Sequence, residues 1–127
     1  MDLGLKDIGQ FTGTVLYYRG WLDTLITDGV FYMCRNGYNW FVNDAISVIR
    51  TLDYLIKEEF LTVRLHIEKV VKSNEDESEV SFTAVMRIED GDEGLLYAQK
   101  YDYTDCCAER DLVLFYTGNV LMLASEY

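Results

Sequence analysis

Two stretches of strict alternation constrain this chain more than any other feature. From Leu61 to Glu68, the apolar Leu61, Val63, Leu65 and Ile67 alternate with Thr62, Arg64, His66 and Glu68. From Val80 to Glu89, the residues Val80, Phe82, Ala84, Met86 and Ile88 alternate with Ser81, Thr83, Val85, Arg87 and Glu89. Successive side chains of a strand point to opposite faces, so a period of two describes a strand with one face buried. A polar segment, SNEDESE, joins the two stretches, and they are expected to pair as an antiparallel hairpin. The turn EDGDEG then leads into Leu95 to Tyr103, which extends the hairpin to a three-stranded meander.

A different period precedes them. Between Tyr38 and Lys57, apolar residues recur three and four apart, at Tyr38, Phe41, Val42, Ala45, Ile46, Val48, Ile49, Leu52, Leu55 and Ile56, which is one broad face of a helix. Continuous over that length, the helix is a rod of roughly 30 Å that crosses the whole core. Gly37 breaks the chain before it. Upstream, Thr27 and Asp28 are suited to cap a short helix over 29–36 that Gly37 stops, although the run VFYMC also reads as a strand. Residues 1–22 mix glycines with Phe11, Tyr17, Tyr18 and Trp21 and read as an extended arm over the core. Near the end, 106–117 reads either as a helix or, over 112–116, as a strand that turns at Gly118 and Asn119; Val120 to Leu123 is a final strand in both readings. The expected class is α+β: a long central helix packed on an antiparallel sheet, a meander of three strands plus a C-terminal strand.

A chain of 127 residues is long enough for one domain, here 1–127, with its own core. The 22 acidic and 11 basic side chains leave a net charge of -11, a field that repels phosphate backbones and argues against direct nucleic-acid binding. Apolar runs are too short to span a bilayer, and the N-terminus lacks a basic-then-apolar signal pattern, so a cytoplasmic protein that does not enter membranes is expected. Cys34 and the adjacent Cys106 and Cys107 fit a reducing compartment better than a disulfide framework. With no proline, turns rest on Gly, Asn, Asp and Ser. An uncovered sheet face or edge also leaves a homodimer open.

Few residues are arranged for chemistry. His66 is the only histidine, on the strand face with Arg64 and Glu68, and no nucleophile is fixed beside it. Adjacent cysteines do not offer zinc-ligand spacing, so no metal and no cofactor are expected. Glu89, Asp90, Asp92 and Glu93 around Gly91 lack the twelve-residue calcium-loop series and read as a solvated turn, whose charge joins Glu75, Asp76, Glu77 and Glu79 in a candidate acidic interaction set. The cluster Glu75, Asp76, Glu77 and Glu79 reads as a solvated loop or as negative charge that imitates a phosphate backbone. Trp40 and Asp44 lie one helical turn apart, where they either share a groove or Trp40 packs at an edge under the N-terminal arm with Asp44 bonded to a tyrosine hydroxyl or backbone amide.

Several short motifs, Phe11-Thr12-Gly13, Tyr17-Tyr18-Arg19 with Trp21, Thr27-Asp28-Gly29-Val30, Trp40 with Asp44-Ala45-Ile46, Tyr103-Thr104-Asp105 and Ser125-Glu126-Tyr127, run the length of the chain. Together they resemble an uncharacterised domain family of bacteria and their phages whose members end in Leu-Pro-Ser-Glu-Tyr. The chain departs from that pattern at Ala124, where the family has proline, and at Cys106-Cys107, where it more often has Phe-Pro. The resemblance implies a bacterial or phage setting and no mechanism, and it marks a candidate pocket of Tyr17, Arg19, Trp21, Asp28, Trp40, Asp44 and Asp105. The resulting expectation is a small acidic, non-catalytic interaction protein. Its partner would be a basic or nucleic-acid-binding protein, in a host defence complex that it inhibits in the manner of an anti-CRISPR. The alternatives are a small-molecule or nucleotide-binding module with a Trp/Asp pocket, and an enzyme that uses Asp44, Asp28 or Asp105 as acid or base.

Overall fold

The computed structural model describes residues 17–19, 21–73, 78–92, 94–104 and 110–127. Within them seven strands form a single sheet: β1 (Tyr17–Arg19), β2 (Leu25–Thr27), β3 (Leu61–Ser73), β4 (Ser78–Asp90), β5 (Leu95–Thr104), β6 (Leu112–Thr117) and β7 (Val120–Leu123). Their order across the sheet is β1-β2-β7-β6-β3-β4-β5. Three helices, α1 (Asp28–Met33), α2 (Asn39–Thr51) and α3 (Asp53–Ile56), fall between β2 and β3. The expected architecture is thereby corrected. The molecule is mostly sheet, the sheet is mixed, and it has three more strands than the meander plus a C-terminal strand supplies.

Strands β3, β4 and β5 fall where the alternation lies, with Leu65 facing Met86 and Ala84 facing Tyr101. Strand β6 takes the second of the two readings of its segment and pairs with β3, Val63 facing Leu114. It joins β7 through a turn in which Gly118 (φ 57°) and Asn119 (φ 63°) are both left-handed, the backbone a two-residue hairpin requires. Asn119 then works in three directions. Its Oδ1 accepts from Arg50 and from the Tyr116 hydroxyl, each at 3.1 Å, its Nδ2 donates to the Asp23 carbonyl at 3.0 Å, and its own carbonyl accepts from the Leu25 amide. Those bonds hold the start of β2 against β7 and produce the one parallel pairing, Leu25 with Val120 and Ile26 with Leu121.

The helical segment is shorter than the apolar stripe. Leu52 is extended (φ -98°, ψ 119°), which ends α2 and starts the single-turn α3; Leu55 stays buried and Ile56 turns out to water at 43% exposure. Upstream, Thr27 caps α1 by accepting from the Val30 amide, and Gly37 (φ 98°) sits in the π-helical turn Cys34–Tyr38 that carries the chain into α2. The capped helix followed by a glycine break is as the sequence suggests; the strand reading of VFYMC is not found. The core lies between this helical layer and one sheet face, with Phe41, Val42, Ala45, Ile46 and Ile49 of α2 against Leu61, Val63, Leu65, Met86, Ile88, Leu114 and Leu121. At roughly 25 cal/mol per Å² of apolar surface, interdigitated side chains of this kind are the main favourable contribution to folding.

Candidate functional site

Where α2 leaves the sheet it forms one wall of an open groove. Phe31 of α1 and Cys34 of the turn that follows, with Tyr18, Arg19 and Ile26, border a space of about 420 Å³ whose other side is Asn39, Val42, Asn43 and Ile46 of α2. That volume lies within the range of small-molecule sites. Asn39 and Asn43 are one helical turn apart on one face of α2, and neither carboxamide has a hydrogen bond among the described residues. At the groove edge, Tyr18 and Phe31 are stacked at 4.2 Å with their planes 12° apart, and the Arg35 guanidinium lies 5.7 Å from the Phe31 centroid. Arg19 is the one charged residue of the lining and meets Asp23 at 3.5 Å in an exposed pair of little energetic weight. Burial pushes the Cys34 thiol up to about 11, so it stands in the groove as a neutral, weakly polar group.

The sequence-derived candidate pocket does not converge on this space. Arg19 alone of its members lines it. Trp40 and Asp44 lie on another flank of α2, where Tyr101 of β5 donates to Asp44 at 2.8 Å and meets the Trp40 ring edge-on at 4.9 Å. Burial, and then the bond to Asp44, raise the Tyr101 hydroxyl far above its ordinary value. This is the edge-packing arrangement, a strap between helix and sheet. Tyr17 points to water at 57% exposure and Asp28 occupies the first turn of α1. Trp21 belongs to a 3-10 turn over Trp21–Asp23, and Asp105 lies outside the described residues.

Structure also employs part of the acidic set. Glu89 accepts from Arg64 Nε at 2.6 Å, and Asp90 Oδ1 accepts from the Asp92 and Gly94 amides at 2.8 Å, which shapes the β4–β5 turn. Asp92 is exposed, and the pairing of Leu61 with Asp90 brings Glu58 and Glu59 to the same end of the sheet. Glu75, Asp76, Glu77 and Glu93 lie outside the described residues, as do Cys106 and Cys107, and Glu79 enters through its backbone pairing with Lys72. His66 stands on the open sheet face with Arg64, its Nδ1 2.6 Å from Asp111 and its Nε2 3.2 Å from Glu68. The bond to Asp111 is the main cause of its raised pKa, and with both nitrogens on carboxylates the ring has no free base position. Among the described residues no three His, Cys, Asp or Glu side chains gather as a metal site.

Two motifs far apart in sequence meet at the start of α1. Glu126 accepts from the Thr27 hydroxyl at 2.5 Å, from the Gly29 amide at 3.2 Å and from the Leu123 amide at 3.0 Å. The carboxylate therefore closes its own turn and caps a helix. Sequence reasoning singled out both motifs without joining them; a threonine cap followed by glycine, with a glutamate at the other end of the chain, gives no local sign of contact. The carboxamides of Asn39 and Asn43 were missed altogether, because polar residues on a helix flank read as solvated.

Fold and groove together define a helix-on-sheet domain with an open cleft between α2 and the β1–β2 edge. The chain belongs to a family of unknown function, DUF6876, whose model matches residues 3–127. Neither the curated proteins nor the solved structures offer a match. No helix among the described residues is long and apolar enough to cross a membrane.

Proposed function

We propose that the protein is a non-catalytic binding module that takes up a small molecule in the groove between α2 and the β1–β2 edge. One observation carries the reading: two carboxamides without a hydrogen bond among the described residues, the exposed Asn39 and the half-buried Asn43, flank a cleft of about 420 Å³ whose other described lining is largely apolar apart from Arg19. A few fixed polar groups on apolar walls are what orient a bound ligand. Burial holds Cys34 as a thiol, so it gives the groove no thiolate nucleophile. The test is a fragment titration followed by the side-chain amide resonances of Asn39 and Asn43. Binding should move both signals, and Asn43→Trp, which fills the cleft, should abolish it. A library that shifts neither signal, or a ligand that binds the filled variant equally well, refutes the groove as the site.

The charge of -11 favours a second reading, an acidic protein that binds a basic or nucleic-acid-binding protein partner. Asp92 and Glu59, with the half-buried Glu58, add charge at one sheet end. Inhibition of a phage-defence complex, in a bacterial or phage setting, belongs to this reading. Its measure is whether binding to a purified partner falls steeply with salt and with Glu75→Gln, Asp76→Asn, Glu77→Gln and Glu79→Gln together. Salt-independent binding rules it out.

A further inference from the structure

Resting on the reading of the groove as a small-molecule site, we infer that its ligand is an uncharged nucleoside, bound by its base. Three features of the cleft select that class. The first is the pair Asn39 and Asn43, whose side chains are about 5–6 Å apart at Cβ by helix geometry. Each carboxamide offers an acceptor oxygen and two donor hydrogens, the complement of a nucleobase edge with adjacent donor and acceptor, as in the bidentate pairing of asparagine with adenine. A purely aliphatic ligand would strip water from both amides and return nothing.

The second feature is the shape and chemistry of the walls. Val42, Ile46 and Ile26 close the floor of the cleft and are at most 5% exposed, so the accessible apolar surface comes from the half-buried, near-parallel rings of Tyr18 and Phe31. A base can stack on the outer face of Tyr18, with Phe31 and the Arg35 guanidinium continuing the column behind it. A free sugar has hydroxyls on every side and would leave most of them unbonded against these walls, whereas a planar heterocycle presents its apolar faces to the walls and its polar edge to the amides.

The third feature is charge, and it separates nucleoside from nucleotide. A phosphate monoester brings nearly two negative charges to a chain of net charge -11, and Arg19 is the only charged residue of the lining, already beside Asp23. Among the described lining residues no second cation joins Arg19 to receive the dianion, and the start of α2 at Asn39 offers only the partial positive charge of a helix end. The base and ribose therefore bind, and a 5′-phosphate counts against them. The same charge disfavours a base presented on single-stranded nucleic acid.

The experiment is a calorimetric and side-chain amide titration of the full chain with adenosine, guanosine, cytidine and uridine, with the 5′-monophosphate of whichever binds best, and with a short oligonucleotide of that base. The expected result is that one nucleoside moves the Asn39 and Asn43 signals and that its monophosphate binds at least tenfold more weakly at low salt. The difference should shrink as salt screens the repulsion, and the oligonucleotide should bind more weakly still. Asn39→Ala with Asn43→Ala should cost at least tenfold in nucleoside affinity and leave the melting temperature within a few degrees. A monophosphate or oligonucleotide that binds as tightly as the nucleoside overturns the inference, as does a double variant with undiminished affinity. Should no nucleoside bind while other uncharged fragments still move both amide signals, the nucleoside fails and the groove stands. Silence from both sets removes both.

Discussion

His66 shows how a single side chain ties stability to pH. Its ring lies between Asp111 and Glu68, and these carboxylates raise its pKa above 6.5 in the folded chain. A group whose pKa rises on folding binds its proton more tightly in the native state. The stabilisation is complete below the ordinary histidine value and is lost as pH rises through the raised one. The native protein should accordingly have a higher urea midpoint at about pH 6 than at about pH 8.5, and His66→Gln should flatten that difference. All three side chains are about half exposed or more, so solvent screens the gain and the change is small. An unaltered pH slope in the variant would remove His66 from the account. The face that His66 occupies was legible from the alternation of β3, but its partner was not. Asp111 is 45 residues away, and nothing in a period of two names the neighbouring strand.

Among the elements, α1 depends most on a distant one. A Cβ on Gly29 would overlap the buried Leu123 Cδ1 and sit 2.7 Å from Glu126 Oε1, so the absence of a side chain lets the final turn dock on the start of α1. Two effects oppose each other in Gly29→Ala. Alanine gains up to about 1 kcal/mol of helix propensity, while overpacking a closed contact costs about 1–3 kcal/mol. Leu123 is 3% exposed and has little room to give, so the clash should prevail and the variant should unfold at lower urea; a stabilised variant would mean that the turn does not dock there. The long strands β3 and β4 were readable because alternation accumulates over eight to ten residues, and β5 because the EDGDEG turn returns the chain beside them. Strands β1 and β2 have three residues each and show no period, and the apolar stripe across Leu52 gave no sign that the helix stops there, because Leu55 continues to bury. Of the groove, Arg19 was visible through its motif, while Cys34, Asn39 and Asn43 join it only once Gly37 turns α1 into α2.

For the molecule as a whole, charge outweighs any one contact. The described ion pairs, Arg19–Asp23, Arg64–Glu89 and His66 with its carboxylates, lie at least partly in solvent and contribute about 0–1 kcal/mol apiece. Against them stands an excess of 22 acidic over 11 basic groups, whose mutual repulsion grows as the chain is compacted. Salt weakens both, but the repulsion acts among many groups at longer separations, so screening should relieve more than it removes. The urea midpoint should therefore climb as sodium chloride is raised from about 0.02 M and level off near about 0.3 M, once the Debye length is well below 10 Å. The plateau is the diagnostic feature. Ion-specific strengthening of apolar burial would keep increasing with concentration, whereas screening saturates. A midpoint that falls with salt would mean that the few ion pairs outweigh the excess charge. It would also weaken the acidic-partner reading, which needs that excess to be felt at the surface.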